Sequence, residues 1–356
     1  MKKIRTAIIG QGRSGRDIHG KYFKSEDNIY YDVVYAVELD PERRERAEKE
    51  YPNCKALSDY KELFDKTDVD LVINASYSDM HYPITRDLLL HGFNVIEEKP
   101  MGRCRYECEE LIKISKEKNV KFGVFQQSLY SPFFVNAKKI ADSGILGKIQ
   151  QVRITYNGFN RRWDWQTLQS RLAGCVYNTG PHPIGYALAF LDFDDNARLE
   201  FSSIANVASS GDAEDYAKLI ITAPGKPVID VEINPIDAYS KETIRICGTL
   251  GSLRTTTTEY EMTYRVEGEN PERPLIAEPL KNEEGYPTYC EETLNLHTVA
   301  EKVPGELFAA ASKSYYEMFY KALTENAPVE VKPEYAAKVI SIIEEVHAKH
   351  PMPVLY

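Results

Sequence analysis

The run VIEEKPMG, residues 95–102, closes an apolar stretch with two carboxylates, a lysine and a proline. A turn needs no such charge cluster. Taken alone, Lys99 would be a solvated surface charge, and it has chemistry to do only if a ligand lies within its reach. A second stretch supplies one. GQGRSG, residues 10–15, has the G-x-G-x-x-G spacing, follows an apolar run and opens a helical pattern. Gly10 permits the tight turn, Gly12 lets the backbone approach a pyrophosphate, and Gly15 lets helix and strand pack closely. Gln11, Arg13 and Ser14 complete the loop, and the helix N-terminus offers its free N–H groups to the anion. Glu38 ends the next apolar run, where an acid can bond both ribose hydroxyls. Its charge repels a 2′-phosphate, which favours NAD over NADP, with Arg43 and Arg44 as the counterweight. In open parallel sheets ligands sit beyond the carboxyl ends of the strands. Lys99 belongs to that rim, and Pro100 holds its backbone extended, which aims the side chain.

The elements that must position these groups alternate strand and helix through the first third. Ile4–Ile9, Tyr30–Val37, Asp70–Asn74, Phe93–Ile96 and Val120–Phe125 read as buried strands. Between them lie a helix carrying Ile18 and Tyr22, a charged helix opened by Pro41, one that Asp79 is placed to cap, and one presenting Cys108, Leu111, Ile112 and Ser115 on one face. This implies a parallel sheet covered on both faces. After about residue 148 the pattern changes. Lys148–Tyr156 alternates, and strand-like runs at 218–222, 228–233, 243–246 and 260–266 follow with almost no helical period. Glu306–Leu323 and Glu334–Ala348 close the chain as helices. There is no internal repeat and no long linker in this reading. The fold class is α/β: a dinucleotide-binding Rossmann domain over residues 1–126, then an α+β domain over 127–356 with a large, mainly antiparallel open sheet.

The chain resembles the Gfo/Idh/MocA family, the glucose–fructose oxidoreductase and inositol dehydrogenase group. The likeness rests on the 10–15 loop, the strand end AVELDP at 36–41, the Glu98-Lys99-Pro100 triplet and GCVYNTGPH at 174–182. It spans nearly the whole chain. It implies that Lys99 hydrogen-bonds the hydroxyl being oxidised and that His182 serves as the histidine of the downstream motif. Where the family usually carries Asp four residues before that histidine, this chain has Asn178, and three residues after it stands Gly185. Asn178 can orient a sugar hydroxyl but cannot accept a proton, which leaves His182 as general base. Pro181 and Pro183 suit a first helical turn, whose dipole favours a neutral imidazole. Ser76, His81, Glu98 and Gln126, at or just beyond strand ends, join the cofactor-facing set. His81 reads equally as part of a helix cap.

On the substrate side, VFQQSLY at 124–130 replaces the family's usual N-x-R-R, so Gln126 or Gln127 takes the polar contact and the arginines are missing. NGFNRRWDWQ at 157–166 holds the chain's 2 tryptophans, with Arg161, Arg162, Trp163, Asp164 and Trp165 in a row. With Tyr156 before it, this segment suits a sugar ring or aglycone, with C–H faces stacking and hydroxyls taking the polar groups. The alternative is a loop that seals a domain junction or a subunit interface. The totals agree with a soluble enzyme: 43% hydrophobic and 28% charged residues, net charge −10. That charge argues against nucleic acid or an anionic membrane as partner. No apolar run is long enough to span a membrane, and the one after the basic start is far too short for a secretory leader. Six scattered cysteines suggest free thiols in the cytoplasm. Histidines 19, 91, 297, 347 and 350 do not cluster, so no metal is expected.

The function expected is NAD-dependent oxidation or reduction of a secondary hydroxyl on a sugar, glycoside or polyol, with C3 of a glucoside as a narrower version. Two rivals remain: a glycosidase that works through transient oxidation and elimination, and a non-catalytic NAD-binding regulator. An open sheet face needs cover, so a homo-oligomer is expected.

Overall fold

In a computed structural model, which describes residues 3–303 and 307–356, the chain forms two sheets. The first contains β1 (Ile4–Ile9), β2 (Tyr31–Val37), β3 (Lys55–Leu57), β4 (Leu71–Asn74), β5 (Val95–Glu97) and β6 (Phe122–Val124), in the order β3-β2-β1-β4-β5-β6. All pairs are parallel. The apolar runs read from sequence are these strands, because a parallel strand is buried on both faces and shows no alternation. Strand order reverses between β1 and β4, and this switch opens a crevice at their carboxyl ends. β3 was not expected. Three residues with one exposed leave too short a pattern to read.

The second sheet runs β14-β13-β12-β11-β7-β10-β9-β8, with β7 (Ile149–Asn157), β8 (Arg198–Ala205), β9 (Tyr216–Thr222), β10 (Val228–Asn234), β11 (Ile244–Gly248), β12 (Gly251–Thr255), β13 (Glu259–Tyr264) and β14 (His297–Lys302). Only β7 and β10 pair in parallel. Val152 and Ile154 face inward onto the helix Pro181–Phe190, while Arg153 and Glu232 face out among ion pairs that join Lys218 to Asp230 and Glu232. One expectation fails here: residues 265–296, between β13 and β14, form a long connection with neither helix nor strand. Its prolines at 271, 274, 279 and 287 remove the amide donors a ladder needs.

The chain then returns to the first sheet. Glu306 lies outside the described residues, and the helix runs Leu307–Thr324. Tyr315, Tyr316 and Phe319 are fully buried against β2 and β6. Tyr31 Oη donates to the Tyr316 carbonyl at 2.7 Å, and Tyr315 Oη to the Val124 carbonyl at 2.8 Å. The last helix, Pro333–Lys349, buries Val339, Ile340 and Ile343 between the helix Arg105–Glu117 and the second sheet. The last helix thereby packs against both sheets. Asp79 does not cap the helix His81–Leu90, whose first turn has no side-chain cap. It pairs instead with Arg171 at 3.3 Å, tying the rim of β4 to the second domain.

Candidate active site

The glycine loop is built as its spacing requires. Gly10 has φ of +88°, and a Cβ there would lie 2.3 Å from the Ala75 carbonyl oxygen. A Cβ on Gly15 would lie 1.8 Å from the Gly10 carbonyl oxygen. At Gly12 the nearest atom to a Cβ is Arg43 Nη1, 3.9 Å away, so its backbone faces open space. Gly15→Ala is therefore expected to cost roughly 1–3 kcal/mol and to weaken NAD binding with it. Thermal denaturation with and without NAD checks this, and an unchanged transition contradicts it.

Glu38 holds the loop as well as facing the crevice. It accepts from the amides of Gln11 and Leu39, each at 2.8 Å, and Arg43 Nη1 stands 3.7 Å away. Arg44 turns back to the carbonyls of Glu38 and Leu39. Gln11 is buried, and its Nε2 has no partner within the protein. A buried, unpaired amide donor, an open glycine backbone and a carboxylate at the end of β2 fit a dinucleotide. Arg13 and Ser14 stand at the open side of the loop.

The carboxylates of the 95–102 run divide by strand alternation. Glu97 is fully buried, and burial, with the charge of Glu107 adding to it and Thr85 opposing, holds its carboxyl well above the usual range. Glu98 faces the other way. Burial would raise it, but His19, Lys99 and His81 outweigh that and hold it below its ordinary value. His19 Nε2 lies 3.2 Å from Glu98 Oε1, and His19 Nδ1 lies 2.6 Å from Tyr316 Oη. His19 was missed from sequence, since a lone histidine four residues beyond Gly15 gives no signal.

Lys99 precedes a cis peptide bond to Pro100, and its Nζ donates to the Asn178 carbonyl at 2.6 Å. Burial lowers its pKa; Glu98 opposes this, and Arg13 and Arg162 add to it. Asn178 ends a short helix, Cys175–Asn178, and its Oδ1 accepts from Gln166 at 3.3 Å. Four residues on, His182 sits in the first turn of Pro181–Phe190, where the two prolines placed it. Burial and the charge of Lys99 push His182 down to about 3, so its imidazole is neutral at ordinary pH. Its Nδ1 lies 3.0 Å from Ser128 Oγ, which leaves Nε2 for a substrate. Ser128 gave no warning in the sequence either. The Tyr156 ring lies nearly parallel to the imidazole, with centroids 6.4 Å apart.

The remaining candidates separate. Ser76 Oγ donates to Asn74 Oδ1 at 2.7 Å beside the glycine loop. His81 is buried with Nδ1 2.8 Å from the Pro100 carbonyl and Nε2 3.2 Å from that of Ser76, so it ties two strand ends together. Gln126 Nε2 donates to the Pro181 carbonyl, and a Cβ on Gly185 would sit 2.8 Å from that nitrogen. The glycine that departs from the family pattern is thus what makes room for Gln126. Gln127 is buried, with its Oε1 unpaired. Arg162 lines a cavity of about 530 Å³ with Tyr156, Asn178 and Thr179. Asp164 pairs with Arg162 at 2.7 Å. Trp165 meets the edge of Tyr77 at 5.0 Å across the cleft. Arg161 and Trp163 point outward, and Trp163 is 77% exposed.

The fold joins a Rossmann sheet, with a glycine loop built for a dinucleotide, to a second, mainly antiparallel sheet. The profile described as oxidoreductase family, NAD-binding Rossmann fold, matches residues 4–126, and that of the GFO/IDH/MocA C-terminal domain matches residues 134–254. The chain belongs to the Gfo/Idh/MocA family, and its first domain binds NAD. An oxidoreductase of Schizosaccharomyces pombe, C26H5.09c, is 29% identical over 53% of this chain and 52% of its own. The scyllo-inositol 2-dehydrogenase (NADP(+)) IolW of Bacillus subtilis is 26% identical over 52% and 51%. The chain spans about half the length of these relatives. GenD2 from gentamicin A biosynthesis, solved with NAD, superposes with a TM-score of 0.76 at 16% identity over 100% of this chain and 97% of that one, a likeness of fold. Among the described residues no helix is long and apolar enough to cross a membrane, and no cluster of three or more His, Cys, Asp or Glu could hold a metal.

Proposed function

We propose that the protein oxidises, or in reverse reduces, a secondary hydroxyl of a sugar, glycoside or polyol. The observation that carries this is the link from Lys99 Nζ to the Asn178 carbonyl, which brings the strand-end ammonium to the turn that presents His182. When bound, NAD supplies the hydride acceptor. Lys99 donates a hydrogen bond to the substrate oxygen and stabilises negative charge as it develops there. His182 Nε2 takes the hydroxyl proton, while Nδ1–H donates to Ser128 Oγ and fixes the tautomer. Tyr156, Asn178 and Arg162 hold the ring in the cavity, with Gln127, Arg161, Trp163, Asp164 and Trp165 around its approach. In this reading residues 1–126 hold the cofactor, residues 127–356 present the substrate, and the reaction runs in the cytoplasm.

C3 of a glucoside is the narrower proposal, giving a 3-keto sugar. The glycosidase reading needs a further proton donor for the leaving group. The acids of the cavity are otherwise engaged: Glu214 accepts from the Val176 amide, Asp215 from the amides of Val207, Ala208 and Ser209, and Glu242 from the Arg245 guanidinium. The test is incubation with NAD and a panel of glucosides and polyols. NADH absorbance with a carbonyl product trapped by hydroxylamine is expected. Release of aglycone without net NADH, or binding without turnover, would contradict it.

A further inference from the structure

Residues 265–296 leave the second sheet between β13 and its edge strand β14 and fold back on themselves. Arg273 pairs with Glu292 at 2.7 Å, Asn295 donates its amide to Asn270 Oδ1, and the chain turns at 282–286. This arm carries Leu275, Ile276, Tyr286 and Tyr289, which are 93%, 62%, 65% and 90% exposed. A polar linker would have no use for such side chains, and a long excursion of this kind has a binding or structural task. The arm is also acidic, with Glu278, Glu283, Glu284 and Glu291.

A surface of matching character stands elsewhere on the chain. Phe159 and Ile236 form a bridge between the loops that follow β7 and β10, and with Trp163 and Tyr239 they are exposed at the cavity rim. Arg161 is exposed beside them, and Lys241 lines the cavity. These loops leave the sheet at the Asn157 and Asn234 ends of β7 and β10. Following the antiparallel pairings from β7 through β11 and β12 to β13, the arm leaves at the other end. A chain's own arm therefore starts away from its own site. A dimer with facing sheets and a two-fold axis running across the strands reverses them, which would bring each arm to the other chain's rim and satisfy both surfaces at once. Extended at roughly 3.3 Å per residue, a leg of the arm outreaches a strand such as β10.

We infer that residues 265–296 are an exchange arm that closes the active-site mouth of a second copy of this chain. Leu275 and Tyr289 would cover Trp163 and Phe159, and the glutamates would meet Arg161 and Lys241. The inference rests on the reading of this cleft as the substrate site only in calling the covered surface a mouth.

The test needs neither substrate nor cofactor, so its failure leaves the redox reading untouched. Sedimentation and acrylamide quenching of Trp163, in a Trp165→Phe background, are followed in that chain and with Leu275→Glu and Tyr289→Glu added, the fold being checked by circular dichroism. The parent is expected to sediment at twice the mass of one chain with Trp163 shielded. The arm substitutions are expected to halve that mass and to make Trp163 as accessible as it becomes on dilution of the parent. A second variant, with residues 268–294 replaced by a short Asn-Gly turn, should behave in the same way. A parent that sediments as a single chain, or variants in which Trp163 stays shielded, would overturn the inference.

Discussion

Lys99→Met is expected to lower kcat by about 10²–10³-fold at neutral pH, the loss typical when one donor to a developing oxyanion is removed. Methionine keeps the length of the side chain and removes its charge, so the change is electrostatic rather than steric. NAD affinity should move little, because in this proposal the glycine loop, Gln11 and Glu38 would hold the dinucleotide without it. A second readout comes from the neighbouring ring. The charge of Lys99 helps to push His182 down, so its removal should raise the His182 pKa above about 3. Turnover by NADH absorbance and titration of the imidazole by NMR check the two parts. Near-normal turnover would remove Lys99 from the chemistry.

His182→Gln is expected to cost about 10²–10⁴-fold in kcat, the range for losing a general base. Glutamine can reach Ser128 and fill the site, but it cannot take a proton. The pH dependence follows from the two shifts. His182 is lowered, so its neutral form is complete well below pH 5 and no acid limb near pH 6 arises from it. Lys99 is also lowered, so activity should fall on the alkaline side, as pH rises through a value under that of an ordinary lysine. Arg162→Ala removes one of the charges that depress Lys99 and should move that alkaline limb to higher pH. A pH profile of kcat/KM checks both signs. An acid limb near 6 that vanishes in His182→Gln would contradict the assignment of a strongly depressed imidazole.

Much of this was legible because parallel strands and glycine loops leave strong local signatures. The runs at β1, β2 and β4 are mostly apolar since both faces are largely buried, and Gly10 and Gly15 answer to backbone contacts that tolerate no Cβ, while Gly12 leaves its backbone open. What could not be read was long-range. Nothing in the spacing between Lys99 and His182 says that they meet; a resemblance carried that expectation. His19 and Ser128 are isolated polar residues whose partners lie far off in the chain. Gly185, standing where the family usually has a side chain, leaves room for Gln126 from another element, a pairing invisible along the sequence. β14 went unseen because an edge strand with one half-polar face, HTVAEK, has little hydrophobic pattern. The 157–166 segment divided between two roles, with Trp165 sealing the junction and Arg162 lining the cavity, where one role had been expected.

The central claim is that one substrate oxygen is shared by Lys99 and His182 beside the nicotinamide. A crystal structure of the protein with NAD and a polyol or glycoside that it turns over tests this most directly. The account places a single hydroxyl oxygen within hydrogen-bond reach, about 2.6–3.2 Å, of both Lys99 Nζ and His182 Nε2. A ligand bound with its reacting carbon at the nicotinamide, yet with Lys99 still committed to Asn178 and His182 turned away, would contradict it.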